Sequence, residues 1–288
     1  YYYGNTEQIL EFTFTAISAL VSFFADSPRG MFVVYALLGI LLHTWAVTRS
    51  TPFWLLALVV WMGNFYLYQE VTQIRVAVAA GLFLVGLSYL AKGEKRTYLL
   101  FSLAAACFHY SAFVLPLLTF FGSRPLTLRG RLVIGAIPLL GYLLFFGGFD
   151  PIASLPIPWI QEKLWIYERL RDSGMAGDAI NVFNIVYVMR LLVFYLLLWK
   201  YDVIKEQAPN LSLLLKVFAI SYFCFTALGA LPVMAFRYAE LFGVVEIVMV
   251  PYLALTMKPE AFGKSLVIVF AFGCMMLNVF YNELLKLS

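Results

Sequence analysis

The chain has 288 residues, of which 63% are hydrophobic and only 12% are charged. A water-soluble domain has a charged fraction of about a quarter, so this composition indicates a protein surrounded by lipid. It excludes nucleic-acid readers, disulfide scaffolds, Rossmann enzymes and secreted hydrolases, and the formal net charge of +4 is too small to indicate an anionic partner.

Apolar runs of spanning length predict an all-α polytopic membrane protein with about 8–10 transmembrane helices in one transmembrane domain, residues 1–288. The runs cover residues 31–48, 53–67, 74–91, 98–121, 132–148, 182–199, 211–231, 238–257 and 263–281. The stretch Ile9–Phe24 contains several hydroxyl side chains and is predicted to be interfacial or re-entrant. Because the sequence opens at Tyr1 without Met, we expect a first span to precede the numbering.

Short cytoplasmic loops retain Lys and Arg, so the basic connections predict the orientation. They lie at residues 92–96, 124–131, 200–205 and 258–264. The segment 97–122 joins the first two basic connections, so it must begin and end on the same side of the membrane. Its polar centre, Cys107–Ser111, therefore predicts a broken helix or re-entrant hairpin with His109 near the tip. Residues 66–75, the long connection 149–181 and the turn Pro232–Arg237 then lie with His109 on the outer side.

Ionisable groups at membrane depth are costly and are functional candidates. Arg75 ends a polar stretch that includes Glu70 and Gln73, although an interfacial anchor would look similar. Arg237 lies between Phe236 and Tyr238, aromatic neighbours that suit a polar ligand site.

Two further charged residues, Glu240 and Arg190, could have either a functional role or a packing role. Glu240 is three residues after Arg237, so the two can pair in a helix. Arg190 lies about two turns into its helix and must reach water, backbone or an acid, which makes a cavity-facing role and a packing role nearly equal alternatives. Glu246 is predicted to be buried in a span, and the sequence offers no partner for it.

His109 is one of two histidines, and its neighbours Tyr110 and Ser111 favour a functional role over the structural role that a lone histidine usually has. His43 lies in an apolar run and is predicted to be structural. Cysteines 107, 224 and 274 also lie in apolar runs, without metal-binding spacing, and are predicted to be core residues.

The outer connection 149–181 interleaves aromatic and polar residues, among them Trp159, Trp165 and Tyr167. Such a mixture suits sugars, although an amphipathic surface helix would have a similar pattern. The sequence has no nucleophile elbow, Walker loop or metal-ligand motif. A site of arginines and one histidine without a metal or cofactor points to an anionic, phosphorylated substrate.

Two motifs resemble the central signature of EpsG-type membrane proteins: Gln69–Ala79, with its Ile-Arg pair, and Ala104–Ala112, with its Phe-His pair. Ala235–Tyr238 is similar to the Arg-Tyr that opens a late helix in that family. The resemblance covers about residues 60 to 255 and implies a Wzy-like polysaccharide polymerase with a C-type glycosyltransferase (GT-C) as its architectural relative.

What the resemblance implies is a metal-independent glycosyltransferase in the bacterial inner membrane. Such an enzyme joins oligosaccharide repeat units carried on polyprenyl (undecaprenyl) diphosphate into O-antigen, capsule or exopolysaccharide at the outer face. A chain-length regulator and a flippase are its expected partners. We expect Arg75 and Arg237, helped by Arg190, to hold the diphosphate. We expect His109 to act as a base on the acceptor hydroxyl or to hydrogen-bond the diphosphate as a cation.

Two other classes remain open at this stage. A transporter or flippase would also place arginines in a cavity, but it should show paired, pseudo-symmetric halves, and no internal repeat is visible. A membrane O-acyltransferase would use His and Arg but would need an acyl donor from the cytoplasm, whereas the polar residues here gather on the outer side. The polymerase hypothesis places Arg75, His109, Arg190 and Arg237 in one outward-opening cavity, roofed by the connection 149–181.

Overall fold

The computed structural model describes residues 12–24, 29–148 and 179–281, and between the last two ranges the single residues Gln161, Trp165 and Arg169. The three described ranges consist of helices and short turns, with no strand among them. Six α-helices precede the long connection: α1 (Phe12–Ser22), α2 (Arg29–Ser50), α3 (Trp54–Val60), α4 (Ile74–Ala91), α5 (Lys95–Phe108) and α6 (Leu128–Phe146). A π-helical segment, Trp61–Thr72, continues α3, and a 3₁₀ segment, Tyr110–Phe120, follows α5.

After the long connection the described helices are α7 (Ile185–Trp199), α8 (Tyr201–Ile204), α9 (Leu211–Ala227), α10 (Pro232–Gly243), α11 (Glu246–Met249) and α12 (Glu260–Met276). A 3₁₀ segment, Val250–Leu255, extends α11, and a π-helical segment, Leu277–Tyr281, extends α12. Every apolar run predicted from the sequence lies largely on one or more of these elements.

Five helical stretches in the described part of the chain are long and apolar enough to cross a membrane: Arg29–Ser50, Ile74–Ala91, Leu128–Phe146, Pro232–Leu255 and Glu260–Tyr281. The other apolar helices are shorter, including α1, which has 11 residues. Length and composition therefore support five spans where the sequence predicts eight to ten, and the shorter helices account for the remaining runs. The protein is an all-α polytopic membrane protein.

The chain breaks at His109, as the sequence predicts. His109 has extended backbone angles (φ −153°, ψ 121°) between α5 and the 3₁₀ segment. The Tyr98 hydroxyl, near the start of α5, donates to the Leu115 carbonyl at 2.6 Å. The Ser123 hydroxyl, just after the 3₁₀ segment, reaches back to the carbonyl of Ala91 at the end of α4, at 2.9 Å. Residues 95–120 therefore form a hairpin that begins and ends at the same end of the molecule.

Polar contacts hold together the helix ends and connections at that end of the molecule. Asn210 Nδ2 donates to the Ser50 carbonyl at 2.9 Å and links the start of α9 to the end of α2. Arg131, near the start of α6, pairs with Asp202 of α8 at 2.8 Å. Helix α4 runs from Ile74 to Ala91, a rise of roughly 27 Å at 1.5 Å per residue, so Arg75 lies at the opposite end from the basic connections.

The three cysteines differ in exposure: Cys274 is buried, Cys224 is half-buried and Cys107 is exposed. The prediction of a core position is wrong for Cys107, because one face of α5 points away from the bundle, as its exposed neighbour Leu103 shows. His43 is fully buried; its Nδ1 lies 2.9 Å from the Gly39 carbonyl and its ring stacks on Trp61, which is a structural environment.

Candidate functional site

A cavity of about 570 Å³ opens at the end of the molecule opposite the basic connections. Its polar and titratable lining residues are Gln73, Arg75, His109 and Arg237. Its remaining wall is apolar and comes from Phe14, Phe32, Ile74, Val76, Pro232, Val233 and Phe236. The structure therefore brings together four of the residues selected from the sequence, although His109 and Arg237 are more than 120 positions apart.

Two helices present their first turns to this cavity. Gln73 precedes α4, and Ile74, Arg75 and Val76 are its first residues. Pro232 and Val233 open α10 in the same way, with proline at a position where no intrahelical N–H is needed. The N-terminus of a helix carries a partial positive charge and favours anions. Both helix starts add to the positive potential of the two arginines.

Arg75 is half-buried, and its guanidinium carbon lies 5.2 Å from the centre of the Phe14 ring, at cation–π distance. Phe14 belongs to α1, and the neighbouring Thr13 hydroxyl donates to the Cys107 carbonyl at 2.6 Å. The short helix α1 is thus tied to the end of α5, close to His109, and forms one apolar wall of the cavity.

Arg237 is exposed and makes no ion pair with any side chain in the described part of the chain. His109, in contrast, is 8% exposed. Its backbone N–H donates to the Ala105 carbonyl at 2.9 Å and closes the last turn of α5. The helix break therefore fixes the backbone of His109 at the cavity wall, while Arg237 remains accessible to a ligand.

Arg190 does not line the cavity. It is 2% exposed and donates through Nη1 to Glu240 at 2.9 Å and through Nε to Glu246. Its guanidinium also lies 4.6 Å from the Tyr187 ring centre. The packing alternative for Arg190 is the one observed, because two carboxylates from α10 and α11 satisfy its charge inside the bundle.

The suggested pairing of Glu240 with Arg237 is wrong. Glu240 accepts from Arg190 and from the Tyr187 hydroxyl, both on α7. It is buried on the face of α10 that packs into the bundle, whereas Arg237 lies on the exposed face. Glu240 therefore contributes to packing in this structure and not to the wall of the cavity.

Glu246, for which the sequence suggested no partner, also accepts from Asn64 Nδ2 at 3.1 Å. Asn64 in turn accepts from Asn278 Nδ2 at 3.2 Å. This network connects α7, α10 and α11 with the π-helical segments before α4 and after α12. The sequence analysis did not select Asn64 or Asn278. Each is a polar residue within an apolar run, and this feature could have identified both.

The other predicted substrate contacts have different placements. Tyr110 is 41% exposed, stacks on Phe113 and does not line the cavity. Tyr238 is half-buried and also lies outside the lining. The Arg169 guanidinium lies 3.9 Å from the ring centre of the exposed Trp165. Trp159, Tyr167 and the side chain of Glu70 lie outside the described residues, as does most of the predicted roof 149–181.

The apolar wall residues Phe14, Phe32 and Val233 were also missed, because an apolar side chain in an apolar chain gives no distinguishing signal. In the residues that the structure describes, no group of three or more His, Cys, Asp and Glu side chains could hold a metal ion. The polar groups that line the cavity are one imidazole, two guanidinium groups and one carboxamide, together with the first turns of two helices.

The fold and this cavity define a polytopic helical membrane protein with a positively charged cavity at one end of its helical bundle. The family model described as "EpsG family" matches residues 1–287, so the chain belongs to the EpsG family. This membership indicates a membrane protein of the polysaccharide polymerase type. No curated protein and no solved structure matches the chain.

Proposed function

We infer that this protein is a polymerase that joins oligosaccharide repeat units carried on polyprenyl diphosphate into a surface polysaccharide. The observation that supports this most strongly is the joint lining of one cavity by Arg75, His109 and Arg237, with two helix N-termini directed at the same space. A diphosphate is an anion that forked guanidinium donors and helix N-termini bind well.

In the proposed reaction, Arg75 and Arg237 bind the diphosphate of the donor. The acceptor hydroxyl oxygen attacks the anomeric carbon as the bond from that carbon to the diphosphate oxygen breaks. The leaving diphosphate takes the electron pair, and the two guanidinium groups stabilise its growing charge. His109 accepts the proton of the hydroxyl, since an imidazole can act as a general base near neutral pH.

The apolar wall suits the lipid part of such a donor. Phe32 on α2 is 52% exposed, and Phe14 lies against Arg75, so apolar surface borders the positively charged groups directly. A polyprenyl tail needs contact with lipid while its diphosphate needs cations. A cavity with both linings at a membrane face meets these two requirements.

The gathering of the basic connections at the other end of the molecule supports the proposed orientation. If that end faces the cytoplasm, as the positive-inside rule predicts, the cavity faces the periplasm or the exterior of a bacterial inner membrane. Lipid-linked repeat units at that face would then reach the site without crossing the bilayer again.

The test is a reconstitution. Purified protein receives a polyprenyl-diphosphate oligosaccharide as its one substrate, and the products are separated by size. The proposal predicts a ladder of longer lipid-linked products and release of free polyprenyl diphosphate. A transporter or flippase would leave the substrate length unchanged, and this result would overturn the proposal.

A further inference from the structure

A second cavity, of about 370 Å³, lies among the basic connections at the other end of the molecule. The ends of α2 and α4, the turn before α9 and Tyr252 form its walls. Its charged lining residues are Arg49 and Lys92, and no carboxylate lines it. Most of its other lining residues carry a hydroxyl or a carboxamide, so the cavity combines two cations with hydrogen-bonding groups, and the proposed reaction does not use it.

Arg49 is held by an aromatic platform. Its guanidinium carbon lies 5.8 Å from the Trp45 ring centre and 5.3 Å from that of Tyr89. Both rings also contact Phe101, at 5.8 and 5.6 Å between ring centres. Because these contacts restrict the side chain, less conformational entropy is lost when the guanidinium binds an anion.

Neither cation is neutralised within the described part of the chain. Both Arg49 and Lys92 are exposed, and neither forms an ion pair with a described carboxylate. Three basic residues at the same end, Arg131, Lys205 and Lys264, are in contrast paired with a carboxylate, as with Lys264 and Glu260 at 2.8 Å. What distinguishes Arg49 and Lys92 from the other basic residues at this end is that both line one cavity that contains no carboxylate.

The backbone oxygens that would repel an anion here already have donors. The Ser50 carbonyl at the end of α2 accepts from Asn210 Nδ2 and from the Tyr252 hydroxyl, at 2.9 and 3.1 Å. The Ala91 carbonyl at the end of α4 accepts from Ser123. Helix C-termini normally disfavour anions, and these hydrogen bonds reduce that effect at both ends.

We propose that this second cavity binds a phosphate group, through Arg49 and Lys92, at the membrane face opposite the polymerase site. The phosphate belongs either to the headgroup of an anionic phospholipid or to a soluble phosphate compound. The inference is independent of the proposed enzymatic function, because it concerns binding at another end of the molecule.

Native mass spectrometry of the purified protein tests this proposal. The protein is titrated with phosphatidylglycerol, with the zwitterionic phosphatidylcholine as reference, and with inorganic pyrophosphate as the soluble probe. We expect specific retention of phosphatidylglycerol, pyrophosphate or both. Pyrophosphate binding that depends on Arg49 and Lys92, without retention of phosphatidylglycerol, points to a soluble ligand, and lipid retention that depends on the same two residues, without pyrophosphate binding, points to a headgroup.

The variants Arg49→Gln and Lys92→Gln should each weaken this binding about fivefold, and together about 25-fold. Lys264→Gln removes a paired cation outside the cavity and should leave binding unchanged. Both cavity cations are exposed, so either variant should fold, and a single symmetric gel-filtration peak verifies this. Equal retention of both lipids together with pyrophosphate binding that neither cavity variant weakens would overturn the proposal, and so would wild-type affinity for phosphatidylglycerol and pyrophosphate in both cavity variants.

Discussion

Arg237 and Glu240 lie one turn apart on α10 but have separate environments. Arg237 lines the cavity that also contains Arg75 and His109, called the outer cavity after its proposed orientation, whereas Glu240 is buried and accepts hydrogen bonds from Arg190 and Tyr187 on α7. The carboxylate one turn away therefore does not neutralise Arg237. The buried network fixes the rotation of α10 within the bundle, and the same rotation directs Arg237 to the cavity.

Replacing either cavity arginine should remove polymerisation. Arg75→Ala and Arg237→Ala are each expected to lower the rate of repeat-unit transfer by about 10²- to 10³-fold, the usual loss when one preorganised donor to a developing negative charge is removed. Lysine at either position should restore part of the rate, because it keeps the positive charge but lacks the paired N–H donors of the guanidinium group. The measurement is polymer amount and length at matched expression.

Arg96→Ala is the matched control for these variants. Arg96 is exposed near the start of α5, at the basic end of the molecule. Its removal should leave polymer length unchanged. Unchanged polymer in Arg75→Ala or Arg237→Ala would contradict the assignment of these residues to the diphosphate.

The role of His109 can be resolved with two variants across pH. A general base is lost in both His109→Gln and His109→Ala, so both should lose turnover at every pH between about 5 and 8, the range in which imidazole changes charge. A group that only donates a hydrogen bond would survive in part as glutamine. Full activity of both variants would instead make His109 structural.

Removing the buried arginine should destabilise the fold more than it affects chemistry. Arg190→Ala leaves Glu240 and Glu246 buried without their cation, and breaking such a pair costs about 3–5 kcal/mol. Glu246→Gln should cost less, because Arg190 keeps Glu240 as its partner. Thermal unfolding in detergent, followed by size-exclusion chromatography, measures both.

A partly exposed ion pair provides the comparison for that series. The side chains of Arg131 and Asp202 are 17% and 56% exposed, so Arg131→Ala should cost about 1 kcal/mol, less than the loss of the fully buried pair. If Arg190→Ala unfolded at the same temperature as Arg131→Ala, the buried network would not stabilise the bundle as we describe.

Gly63 permits a close approach between helices. A Cβ atom at this position would lie 2.3 Å from the Ala271 carbonyl oxygen on α12, so Gly63→Ala requires the backbones to separate. We expect a loss of about 1–3 kcal/mol, typical of overpacking. Gly122→Ala is the control, because no atom lies within 4 Å of the added methyl group there. Equal stability of the two variants would rule out a tight contact at Gly63.

The sequence predicts the break at His109 because a polar run between two basic connections leaves few alternatives for a chain in lipid. The sequence also predicts that Arg75 and Arg237 lie at the same face, since the positive-inside rule orients each helix. The sequence could not show that Arg190, unlike these two arginines, points into the bundle. An apolar helix has no polar face to reveal its rotation, and the partner carboxylates of Arg190 are 50 and 56 residues away. Only packing shows that its charge is satisfied internally.

The most direct test of the central claim is to locate the diphosphate of the donor on the protein. A lipid-linked oligosaccharide with a photoreactive group beside its diphosphate is bound to the purified protein, illuminated, and the labelled peptides are identified by mass spectrometry. We predict labels within residues 73–76 and 232–237, which line the outer cavity, and loss of these labels in Arg237→Ala. Labels at residues 48–52 and 207–210, around the cavity at the basic end, with none at the outer cavity would contradict the account.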